Sequence, residues 1–64
     1  MALYLVEYAT LMRSGGSNYY TKLLELTSGS ESEALAKLRQ EMLPVHKNQD
    51  KYIDDLFIVK IKKP

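Results

Sequence analysis

Residues 3–12 read Leu3-Tyr4-Leu5-Val6-Glu7-Tyr8-Ala9-Thr10-Leu11-Met12, and two apolar sets interleave there with a period of two. Leu3, Leu5, Ala9 and Leu11 fall on one side, and Tyr4, Val6, Tyr8 and Met12 on the other. Successive side chains of a strand point to opposite faces, so this stretch predicts a β-strand covered on both sides. Such a strand belongs at the centre of a sheet, and the rest of the chain has to supply its neighbours.

The flanking residues supply them. Arg13-Ser14-Gly15-Gly16-Ser17-Asn18 is a turn signal, because glycine accepts the positive φ of tight hairpins. Tyr19 to Thr27, rich in Tyr, Leu and Thr, reads as the returning strand. Ser28-Gly29-Ser30 breaks the pattern, and Ser30 with Glu33 fits a capping box that opens a helix. Ala34, Leu35, Leu38 and Met42 form its apolar stripe, while Glu33 and Lys37 have the spacing of an i,i+4 ion pair. Pro44 disfavours helix at the residue before it and predicts an end near Leu43. His46 to Asp55 reads as a polar loop with Tyr52 and Ile53 as an anchor, and Leu56 to Lys62 as the last strand.

The order β-β-α-β predicts one α+β domain over residues 1–64. Placing the third strand beside the first gives a three-stranded antiparallel sheet ordered 2-1-3, with one helix packed on one face.

A hairpin centred between Gly15 and Gly16 pairs Met12 with Tyr19 and Leu5 with Leu26. In that register Leu3, Leu5, Ala9 and Leu11 join Tyr20, Leu24 and Leu26 under the helix, with Phe57, Val59 and Ile61, and Glu7 points the same way. The opposite face then presents Tyr4, Val6, Tyr8, Leu23 and Ile58, flanked by Lys60 and Lys62. A contiguous amphipathic patch of that kind marks a partner-binding surface, and tyrosine suits it by joining contact area to a water-tolerant hydroxyl.

Composition limits the function classes. Sixty-four residues leave room for one core, and with no cysteine neither a disulfide nor a thiolate metal site supports it, which moves weight onto packing and association. The net charge of +1 gives no long-range field for nucleic acid. The N-terminal run has no basic segment, carries Glu7 and is shorter than the roughly 20 residues of a spanning helix, so a cytoplasmic chain without membrane contact is expected.

Catalytic chemistry finds few groups. His46 is the lone histidine, in the expected polar loop, so solvent exposure is its expected state and a metal site with Asp50, Asp54 and Asp55 is not expected. Glu7 and Glu25 fall on opposite faces in the assumed register, which separates them as an acid–base couple. Ser14-Gly15-Gly16-Ser17 leads into a strand, whereas phosphate cradles open a helix. The expectation is a non-enzymatic protein-binding module of adaptor or inhibitor type without cofactor or metal. Its partner is a second copy, forming a homodimer through the sheet face or edge, or a heterologous protein. One alternative is single-stranded nucleic acid held by sheet tyrosines and the C-terminal lysines. Another, by analogy of size, is a small inhibitor carried by a phage or mobile element.

Overall fold

The computed structural model describes residues 1–64. Strands β1 (Ala2–Met12) and β2 (Ser17–Leu26) are followed by helices α1 (Glu31–Glu41) and α2 (Leu43–Gln49) and by strand β3 (Ile53–Lys62). The strands form one antiparallel sheet ordered β2-β1-β3, as the α+β reading expected, and both helices pack on the same face of it. The second helix is an addition to that reading.

The hairpin turn is centred earlier in the chain than the glycine pair suggested. Met12 N–H donates to the Gly16 carbonyl at 3.0 Å and Gly15 N–H to the Met12 carbonyl at 2.8 Å, so the loop is Arg13-Ser14-Gly15. Gly15 takes φ +94°, the left-handed position a three-residue hairpin loop requires. The register is therefore Tyr4 opposite Leu24, Val6 opposite Lys22 and Tyr8 opposite Tyr20. It differs from the expected register by an odd number of residues, and an odd slip changes which faces of the two strands coincide.

This register puts Tyr4, Val6 and Tyr8 of β1 on the same face as Leu24 and Leu26 of β2, and that face is the one the helices cover. Val6, Tyr8, Leu24, Leu26, Ala34, Leu38 and Leu56 form the core, ringed by Tyr4, Leu35, Met42, Leu43, Ile58 and Ile61. Burying one such aliphatic side chain contributes about 1.5–3 kcal/mol.

A tight hydrogen-bonded cap starts α1. Ser30 Oγ accepts the Glu33 N–H at 3.2 Å, one half of the expected capping box. The Glu33 carboxylate reaches past Ser30 and accepts from Thr27 N–H at 2.6 Å, Ser28 N–H at 2.8 Å and Gly29 N–H at 3.2 Å. These bonds, that from Thr27 foremost, hold the Glu33 carboxyl at about 2, against an ordinary 4.5. Glu33 is thus engaged with the loop, and Lys37, instead of pairing with it, donates to the Glu25 carbonyl.

Pro44 begins a helix where the sequence reading had one end. Met42 N–H bonds the Leu38 carbonyl at 2.8 Å while the Met42 carbonyl accepts from His46 N–H at 2.9 Å, so one residue closes α1 and opens α2. Pro44 sits in the first turn, where a missing N–H leaves no bond unmade. The loop expected from His46 is accordingly helical to Gln49. Asp50 then turns the chain, accepting Tyr52 N–H at 2.9 Å, and of the two anchor residues Ile53 is buried and Tyr52 exposed.

Candidate functional site

The face of the sheet turned away from the helices is the most extended candidate surface. β1 contributes Leu3, Leu5, Glu7, Ala9 and Leu11, which stand opposite Glu25, Leu23, Thr21, Tyr19 and Ser17 of β2. From β3, Phe57 stands opposite Ala9, Lys60 opposite Glu7 and Lys62 opposite Leu5. Val59 has no partner in this pairing, since Glu7 and Tyr8 are matched by Lys60 and Ile58. This bulge resets the alternation of β3, so that Ile58 and Ile61 point to the core while Lys60 and Lys62 point away from it.

Large apolar side chains remain open here. Tyr19 is 71% exposed, Leu23 53%, Val59 46% and Phe57 38%, with Leu3 and Leu11 comparable. Tyr19 and Phe57 flank Ala9, which is itself fully covered. Glu7 lies near the middle and carries its charge against Lys62 at 3.7 Å, and a shallow depression beside it is lined by Tyr19, Tyr20, Thr21 and Val59.

Of the seven residues predicted for partner binding, Leu23, Lys60 and Lys62 lie on this face. Tyr4, Val6, Tyr8 and Ile58 do not; they lie beneath the helices, with Val6 and Tyr8 inaccessible. Two contacts explain why tyrosines occupy a covered face. Tyr4 packs against the backbone of Gly29, and the Tyr8 hydroxyl meets His46 Nε2 at 2.8 Å. The Tyr8 ring has a polar end that α2 accommodates. The reading placed Leu3, Leu11, Phe57 and Val59 under the helix and so missed them as surface, while Tyr19, which its register set on the open face, is exposed. Glu7 was the available signal, because a carboxylate at the centre of β1 marks its own side as the one facing water.

His46 is the second point at which structure and expectation differ. It is buried, on α2, beside a tyrosine pair: its ring centroid is 4.6 Å from that of Tyr20 and 5.8 Å from that of Tyr8, and the two tyrosines stack at 5.6 Å. Its Nδ1 has no protein partner. Burial, and after it the neighbouring Tyr20, push the Tyr8 hydroxyl above its ordinary pKa. The aspartates read alongside His46 are engaged elsewhere: Asp54 with Arg13 at 3.3 Å, Asp55 with Arg39 at 2.9 Å, and Asp50 with the Tyr52 backbone. No three His, Asp or Glu side chains gather at metal-holding spacing.

Glu7 and Glu25 share the open face, contrary to the assumed register. They are four residues apart along the sheet, about 13 Å at strand rise, beyond the separation of a carboxylate pair flanking one bond. No helix is long and apolar enough to cross a membrane. Comparison with protein-family models, with curated proteins and with solved structures finds no match to the chain.

Proposed function

We propose that the chain is a non-enzymatic protein-binding module of adaptor or inhibitor type, docking through the open face of its sheet. The observation that carries this reading is the asymmetry of the sheet. One face has its centre covered by α1 and α2, while the other leaves Leu3, Leu11, Tyr19, Leu23, Phe57 and Val59 accessible around a single ion pair. Apolar area distributed this way gains free energy when another surface covers it. The Glu7–Lys62 pair and Lys60 supply polar groups that would fix orientation rather than add much affinity.

The test compares the parent chain with a Leu11→Ser, Phe57→Ser variant recovered from the cells that make it. The reading expects a protein that co-purifies with the parent, rebinds it in purified form and is lost from a variant that is still folded. Equal binding by both chains, or no protein partner for the parent, would overturn it.

A second reading rests on Lys60 sharing a face with exposed Tyr19 and Phe57, an arrangement able to hold single-stranded nucleic acid by stacking and phosphate contact. It expects binding that weakens with salt and with Lys60→Ala, Lys62→Ala.

A further inference from the structure

The two edges of the sheet are unequal. β3 is interrupted twice, at Val59 and again at Asp54, which is left over between Asp55 opposite Leu11 and Ile53 opposite Met12. Its edge also carries Asp54, Asp55, Lys60 and Lys62. Bulges and charges of this kind oppose strand addition. β2 runs from Ser17 to Leu26 with an unbroken register, no proline, and only Lys22 and Glu25 charged.

The hydrogen-bond phase of β2 follows from the hairpin. Met12 and Gly16 form a hydrogen-bonded pair, and Asn18 turns its N–H toward β1, reaching Thr10 Oγ1 at 3.3 Å. Bonded and non-bonded pairs alternate along an antiparallel ladder. The odd-numbered residues of β2 therefore direct their N–H and C=O groups outward, away from β1. At the C-terminal end α1 occupies these groups: Lys37 takes the Glu25 carbonyl and Glu33 the Thr27 N–H. Ser17, Tyr19, Thr21 and Leu23 remain with both groups free and Glu25 with its N–H, a run of outward amides from 17 to 25.

That free stretch is centred on Thr21, and a stretch with a centre can pair with itself about a two-fold axis. Resting on the reading of this chain as a protein-binding module, we infer that a second copy adds antiparallel along β2, with Thr21 opposite its own copy and Tyr19 opposite Leu23. The side chains agree with this register. Thr pairs with Thr and Tyr with Leu on the open face, while Lys22 meets Tyr20, where a cation over an aromatic ring is favourable. The register centred one residue later sets Lys22 against Lys22, which costs stability. The product is a continuous six-stranded sheet whose open apolar faces lie side by side.

Amide hydrogen exchange read residue by residue, together with light scattering after gel filtration across micromolar concentrations, tests the pairing. In a monomer the Tyr19, Thr21 and Leu23 amides exchange freely while those of Tyr20, Lys22 and Leu24 are protected. Pairing predicts twice the chain mass and protection of the outward amides that rises with concentration. Thr21→Pro removes only an outward N–H and should return the monomer mass with the β1–β2 ladder intact; Leu23→Lys should do the same if the proline variant does not fold. A parent that stays monomeric, or a dimer whose outward amides remain unprotected, overturns the pairing. Neither result bears on the open-face reading, which fails only by the binding comparison of Leu11→Ser, Phe57→Ser.

Discussion

The Tyr8 hydroxyl and His46 Nε2 lie 2.8 Å apart inside the helix-covered face, joining the central strand to α2 across 38 residues of sequence. Each is the other's hydrogen-bond partner in a buried position, so removing one leaves the other unsatisfied. Tyr8→Phe is expected to lower stability by about 1–3 kcal/mol, the cost of an unpaired buried polar group. His46→Phe should cost a similar amount, and the double variant less than the two together. Urea denaturation of the four proteins measures the coupling.

Gly29 sits where a side chain is opposed both by the backbone and by a neighbour. Its φ is +71°, and a Cβ there would stand 2.7 Å from the Tyr4 ring. Gly29→Ala should destabilise by more than the roughly 1 kcal/mol of backbone strain alone. Adding Tyr4→Leu should relieve the steric part and leave the backbone part, as read from thermal midpoints.

The loop before α1 should report acid. Glu33 titrates at about 2 when folded against an ordinary 4.5, so the unfolded chain binds that proton more readily. Its stabilising contribution is complete above the ordinary value and is lost as pH falls from 4.5 toward about 2. Asp55, lowered by its bond to Arg39, acts in the same direction. Urea midpoints measured against pH should fall across this window, and Glu33→Gln should flatten the fall without abolishing it.

The two faces should differ sharply in their response to truncation. Leu38→Ala, in the core, is expected to cost about 2–5 kcal/mol, whereas Leu23→Ala on the open face should stay near 0.5 kcal/mol. Chemical denaturation of this pair checks the assignment of faces directly.

Much of the architecture was legible because it rests on local signals. The alternation in residues 3–12, the Ser30–Glu33 cap and the stripe through Ala34 and Leu38 each constrain one element, and short connections then leave few topologies. Side assignments were less legible because they depend on a turn. Arg13-Ser14-Gly15 and Gly15-Gly16 are equally good turns by composition, and choosing between them decides whether Tyr8 or Ala9 faces the helices. Pro44 is similarly two-valued, since a proline can follow one helix or open another. His46 looked exposed only because α2 was not foreseen. The candidate surface was legible in part, through Leu23, Lys60 and Lys62, which occupy the open face whatever the role of Tyr4 and Tyr8.

The unpaired Val59 gives β3 an unusual economy. Skipping it, Phe57, Lys60 and Lys62 alternate without fault with Leu56, Ile58 and Ile61, so the strand is a regular amphipathic sequence carrying one supernumerary residue. A chain of the same sequence lacking only Val59 would keep Ile61 inside and both lysines outside. What it would lose is the local coil that a bulge adds to an edge strand. Val59 therefore gives the open face both added coil and an exposed apolar side chain, and a single deletion removes the two together while the rest of the strand keeps its alternation.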